Sequence, residues 1–395
     1  MNSFSITNVT AVLPDSVLEN VTIVVERGVI TEIATGISAL RGSIDAHGLY
    51  CLPGVIDTHS DGLEQEHRPR PNVNLPLDFS LRSFEAKVRS AGISTMFHGI
   101  AFENDGNRTV ELANSLVDAL HDYADSRNSL VDNRVLYRLD ARDNDGFNAL
   151  VTRIESDMDR ARDYAPLVSF EDHTPGTGQY RDRTYFENWV MRNRNLSQEE
   201  ARAHVDNVIA ERDAVIHNRD LALPWLTERA QAGIIRLMVH DPATPEDVEE
   251  GASWNASIAE FPTTIEAARA AHAKGMRIVS GAPNVLRGGS HSGNVSAAEL
   301  ISLGLCDGLS SDYLPFSMLG AVAVLVRDKV CSLPRAVGLI TSGPAKTVGL
   351  LDRGELKVGT AADLALCRFN GIIPTVVGVF RAGSHAGQTL TLQGA

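Results

Sequence analysis

Between residues 54 and 312 the chain alternates strand-like and helical stretches, and its strands repeatedly end on polar side chains. Candidate strands cover 54–61, 94–98, 135–139, 167–173, 234–240, 258–261, 277–280 and 308–312. Amphipathic runs such as 264–274 lie between most of them. Eight strands with intervening helices are the pattern of a (β/α)8 barrel, an α/β fold in which functional side chains gather at the C-terminal strand ends. The flanks read differently. Residues 5–13, 20–26 and 29–33 are rich in β-branched residues, and 364–369 and 375–383 read as further strands. We therefore expect a small β-sandwich built from both termini, with 1–52 and 351–395 contributing to it and 53–350 forming the barrel. The polar insertion 188–220 reads as a helical hairpin on the surface, with a capping pattern at Ser197.

The strand ends carry the chemistry. In an extended strand, residues two apart share a face. Asp57, His59 and Asp61 would then stand together at the end of the first strand. Glu171 and His173 share a face at the fourth, His240 closes the fifth, Glu260 lies on the sixth and Asp312 closes the eighth. A lone histidine at such a place is more often a packed side chain than a ligand. Histidines and carboxylates at successive strand ends form the nitrogen and oxygen donor set of a divalent metal.

Two segments could hold an anion. Residues 281–294 combine four glycines with Asn284, Arg287, Ser290, His291 and Asn294, ahead of a helix start at Ser296. Such a glycine-rich loop can cradle a phosphate on unpaired N–H groups, or can simply be a flexible loop. In 67–72 the prolines hold the chain extended, so Arg68 and Arg70 either grip phosphate or remain solvated. The net charge of -14 argues against nucleic acid, which a basic face would attract. The cysteines, Cys51, Cys306, Cys331 and Cys367, form no CxxC pair, which fits a reducing cytoplasm. We see no secretory signal and no apolar run long enough to span a bilayer.

The stretch Pro53-Gly-Val-Ile-Asp-Thr-His-Ser-Asp61 resembles the first-strand Asp-x-His-x-His motif of the amidohydrolase superfamily, with Asp61 replacing the second histidine. Further matching stretches are Arg68-Pro-Arg-Pro71, Asp172-His-Thr-Pro-Gly176, 259–268, 281–294 and Ser310-Ser-Asp-Tyr313. Together they resemble the branch that acts on ribose 5-triphosphates in the carbon–phosphorus lyase pathway. The resemblance implies hydrolysis of α-D-ribose 1-methylphosphonate 5-triphosphate to pyrophosphate and the 5-phosphate. It implies one or two divalent ions (zinc, manganese or magnesium) held by His59, Asp61, His173, His240 and Asp312, with Asp312 also moving the proton. Arg68, Arg70, Arg287, Ser290 and His291 would hold the phosphorylated sugar. The superfamily often carries a carboxylated lysine on strand four. None stands there, so either Glu171 bridges two ions or the centre departs from the usual pair. The competing readings are cleavage of a cyclic amide or N-acyl group on the same barrel, and a related nucleoside or sugar triphosphate diphosphatase. The expected partner is a small phosphorylated sugar, with neither nucleic acid nor membrane; a homo-oligomer is compatible with the sequence.

Overall fold

A computed structural model describes residues 3–36, 43–126, 128–158, 164–290, 294–370 and 374–381. Eight strands form one sheet in sequence order: β1 (Val55–Ser60), β2 (Ile93–Phe102), β3 (Asp132–Asp140), β4 (Leu167–Glu171), β5 (Arg236–His240), β6 (Ile258–Glu260), β7 (Arg277–Gly281) and β8 (Gly308–Ser310). Every pairing from β1 to β8 is parallel. Helices fill the connections, as parallel neighbours require. The sheet closes at its upper end through a parallel bridge between Ser60 and Asp312. There the Asp61 N–H donates to the Asp312 carbonyl at 2.6 Å and the Asp312 N–H to the His59 carbonyl at 3.0 Å. Lower down, the carbonyls of Ile340 and Leu339 accept from Ile56 (2.9 Å) and Leu309 (2.7 Å), filling the gap between the two edge strands.

The barrel interior is layered. One side chain from each of β1 to β7 builds an apolar floor: Ile56, Phe97, Leu136, Leu167, Met238, Ile258 and Val279, with Ala345 and Val348 beneath. The side-chain period of two then determines what stands one layer higher. That layer holds Gly99, Arg138, Ser169, His240 and Glu260. A second apolar core lies between the barrel's outer face and its helices.

The small β unit expected from the termini is one mixed sheet of seven strands. Tyr50–Pro53 lies between Phe4–Val12, to which it is parallel, and Leu364–Arg368, to which it is antiparallel. The C-terminal strands thus dock onto the segment that leads directly into β1. The sheet folds over its own core of Phe4, Ile6, Ile23, Ile30, Leu364 and Phe380, among others.

The insertion forms three helices, Arg183–Arg194, Gln198–Ala214 and His217–Gln231. The capping pattern is present, with the Ser197 and Glu200 side chains each accepting from the other's N–H. It is more than a surface feature, because Arg212 reaches Asp140 (2.9 Å) and Asp172 (3.2 Å) at the barrel rim. Among the described residues, no helix is long and apolar enough to cross a membrane.

Candidate metal centre

Glu260 organises the mouth of the barrel from below. Its side chain is fully buried on β6. One oxygen lies 2.8 Å from His59 Nδ1, and the other lies 2.8 Å from His240 Nδ1 and 2.9 Å from Ser169 Oγ. Burial alone would raise the Glu260 carboxyl, but His59 and His240 beside it hold it down at about 2. An ionised carboxylate only accepts, so both Nδ1 atoms must donate. Both Nε2 atoms therefore face the remaining carboxylates. His59 Nε2 lies 3.4 Å from Asp61 Oδ1, and His240 Nε2 lies 3.4 Å from Asp241 Oδ2. Imidazoles backed by a carboxylate on the other ring nitrogen are the usual posture of metal-binding histidine.

The side chains around them complete the donor set. Ligand atoms of His59, Asp61 and Asp312 fall within 4.8 Å of one another, as do those of Glu171, His173 and His240. The His173 and His240 rings stand 5.2 Å apart, nearly perpendicular. Burial lowers His173 to about 3, so it is neutral at ordinary pH. Burial opposes charge on His240 too, yet Asp241, Glu171 and Glu260 raise it to about 9; a cation binding there displaces that proton. Burial pushes Asp241 up to about 6 and raises Asp312 above the usual carboxylate range. Asp241 Oδ2 is buried with no hydrogen-bond partner. Crowded carboxylates, an orphaned buried oxygen and imidazoles with Nε2 turned inward all fit a divalent cation.

The backbone turns sharply at the strand ends. Asp241, Phe261 and Asp312 have φ of 49°, 53° and 58°, a left-handed region that side chains other than glycine seldom enter. Each lies just beyond β5, β6 or β8 and lines the mouth. Strained residues of this kind gather at functional sites, where the surrounding structure holds them.

Arg138 is the site residue that strand-end reasoning misses. It stands on β3 one layer above Leu136, within the barrel rather than at its rim. Its Nε and Nη2 donate to the two oxygens of Glu171, both at 2.9 Å, and its Nη1 donates to Asp61 at 2.6 Å. Burial would raise both carboxyls, but Arg138 holds each well below the usual range. An arginine inside the apolar run 135–139 was the available signal.

His59, Asp61, His173, His240 and Asp312 all line one open cavity of about 850 Å³. Arg287, Ser290 and Asn284 line it as well. The segment after β7 is not a continuous loop. Ala282–Arg287 is a short helix with Pro283 in its first turn, and it ends at left-handed Gly288. His291 lies outside the described residues. Arg68 donates to Asn74 Oδ1 at 3.0 Å and to the Asn107 carbonyl, and Arg70 is exposed beside Val73. Neither lines the cavity. Asp57 does not join the centre: its Oδ1 accepts from the backbone of His59 (3.3 Å) and Ser311 (3.0 Å). A register shift between Asp57 and Ser60 breaks the strand alternation, so His59 faces inward three residues after Ile56.

This barrel, with its terminal sheet, has the fold of solved amidohydrolases. The fold is similar to a solved triazine hydrolase variant (TM-score 0.66, 15% identity, 97% of this chain and 94% of that one). It is also similar to N-acetylglucosamine-6-phosphate deacetylase from Pasteurella multocida (TM-score 0.61, 13% identity, 97% and 99%). No protein-family model matches the chain. In sequence it is 34% identical over 372 residues to alpha-D-ribose 1-methylphosphonate 5-triphosphate diphosphatase of Escherichia coli (strain K12), covering 91% of this chain and 94% of that one. The chain belongs to the family of that diphosphatase.

Proposed function

We propose that this protein hydrolyses α-D-ribose 1-methylphosphonate 5-triphosphate to pyrophosphate and the 5-phosphate, as a divalent-metal enzyme of phosphonate catabolism in the cytoplasm. The observation that carries this reading is the near full-length similarity to the Escherichia coli diphosphatase. The electrostatics of the mouth agree in kind. Asp61 and Glu171 pair with Arg138, and Asp241 and Asp312 line the same cavity. A triphosphate adds further negative charge, and divalent cations are what make such a site attractive to it.

His59, Asp61 and Asp312 form one donor set that would hold zinc, manganese or magnesium, and His173 and His240 form another with Glu171. When bound, such an ion supplies Lewis acidity and makes water more acidic. The chain's own groups divide the rest. Asp312 is poised to take the proton from water as its oxygen bonds to the α-phosphorus. The bond from that phosphorus to the bridging oxygen breaks, and pyrophosphate leaves. Burial, which raises the Asp312 carboxyl, makes it a better proton acceptor than an ordinary carboxylate. Glu260 keeps both imidazoles oriented throughout. Arg287, Ser290 and Asn284, which line the cavity as well, offer donors to the phosphate or phosphonate ends of the sugar.

Metal-depleted protein given the triphosphate should release pyrophosphate on addition of Mn²⁺, Zn²⁺ or Mg²⁺. A cyclic amide or N-acyl sugar should remain intact. Turnover of the amide with no pyrophosphate from any metal would overturn the reading.

A further inference from the structure

We propose that the centre holds a single divalent cation, on the side of His59, Asp61 and Asp312, and that Arg138 stands where a second cation would otherwise lie. The inference rests on the metal dependence proposed above and concerns only how positive charge is shared out.

Among the described residues, three clusters of ligand atoms stand at the mouth; in the one on His59, His240 and Glu260 the carboxylate already holds both Nδ1 atoms, which leaves one on His59, Asp61 and Asp312 and one on Glu171, His173 and His240. A two-ion centre would fill both. Arg138 instead links them, because its guanidinium joins a carboxylate of each. The sharing is unequal. Both oxygens of Glu171 are taken, in a bidentate contact with Nε and Nη2 at 2.9 Å each. Asp61 gives only Oδ1 to Arg138 and to His59, so Oδ2 makes neither contact. The second cluster thus has its carboxylate committed to a fixed cation, while the first keeps carboxylate oxygens for a mobile one. A divalent ion on Glu171 would also sit against a buried guanidinium, and like charges repel strongly where water is excluded.

The arrangement is built into the strands. Arg138 is placed by the period of β3, one layer above Leu136 of the apolar floor. Gly99 on the neighbouring β2 leaves the space the pair occupies. A Cβ there would lie 2.7 Å from Asp61 Oδ1 and 3.0 Å from Arg138 Cδ. Any side chain at that position would collide with the contact between the two. The guanidinium also accounts for the missing lysine on β4. No carboxylated lysine is needed to bridge two ions if one of the two charges is a side chain.

The test is metal stoichiometry, read independently of turnover. Protein saturated with Mn²⁺ or Zn²⁺ and freed of excess ion should carry one ion per chain by elemental analysis, with one anomalous peak in crystals. Arg138→Ala frees Glu171 and should carry two; Arg138→Lys should still carry one. In otherwise native protein, Glu171→Gln should leave the affinity for the single ion within about threefold, so the test survives if Arg138→Ala does not fold. Two ions in the native protein, one ion in folded Arg138→Ala, or a tenfold or greater loss of affinity in Glu171→Gln would each overturn the inference. Two ions with full pyrophosphate release would overturn it and leave the proposed function intact. A protein that binds no ion would overturn the metal reading itself.

Discussion

Replacing Glu260 with glutamine keeps the shape of the side chain beneath the centre and removes its charge. The carboxylate accepts from both His59 and His240, each at 2.8 Å. An amide has one oxygen, so it can accept from only one of them. Its NH₂ group then faces the other Nδ1, which must give up its hydrogen and become an acceptor. At His59 this places the remaining hydrogen on Nε2, the atom turned toward Asp61, and the ring ceases to be a ligand. The native contacts to Glu260 are charge-assisted, and losing one is worth about 1.5–3 kcal/mol. This corresponds to about a ten- to hundredfold weaker affinity for the ion, the usual effect of removing a partner behind a metal-binding histidine. Chelator competition with Mn²⁺ or Zn²⁺ on Glu260→Gln measures it directly, with a thermal melt to show that the variant folds. An affinity within threefold of native in a folded variant would refute the role given to Glu260.

Three further outcomes follow from the geometry. Asp312→Asn removes the proton acceptor and should lower kcat by about 10²–10⁴-fold, whereas Arg287→Ala should chiefly raise KM; steady-state kinetics on the triphosphate separates them, and equal mild effects would contradict both roles. Gly99→Ala places a methyl 2.7 Å from Asp61 Oδ1, so it should destabilise the fold by about 1–3 kcal/mol in urea titrations and weaken ion binding as well. Burial holds His98 near 4, with its ring 2.8 Å from Asn133 Oδ1, so the native state refuses a proton that the unfolded chain accepts. Its neutral form is favoured fully above pH 6.5, and about 3 kcal/mol of stability is lost as pH falls from 6.5 to about 4. In His98→Gln the slope of unfolding free energy against pH should flatten in that window; an unchanged slope would contradict it.

The barrel was legible because strand ends and helical runs alternate over most of the chain, and strand length and hydrophobic pattern are local properties. The ligand candidates were legible for a related reason: a polar residue closing a buried strand needs a purpose. Arg138 was not, because the same rule looks only at ends, and β3 runs on to Asp140 past the layer where Arg138 sits. Counting from the apolar floor would have found it, but the floor is known only once the strands are in register. Asp57 misled in the opposite direction. Its spacing from His59 is right, yet the register shift in β1 turns it to backbone N–H groups. In 281–294 the glycines suggested a loop, whereas Pro283 is well suited to a helix start and Gly288 to a helix end. The pairing of Glu260 with two histidines from different strands is a tertiary fact with no local signature.

The most direct measurement of the proposed chemistry is where the oxygen of water ends up. Single-turnover hydrolysis of the ribose 5-triphosphate in heavy-oxygen water, with the ion bound, should put the label in the 5-phosphate and leave pyrophosphate unlabelled, because attack is at the α-phosphorus. Label in the pyrophosphate, or release of inorganic phosphate in its place, would contradict it.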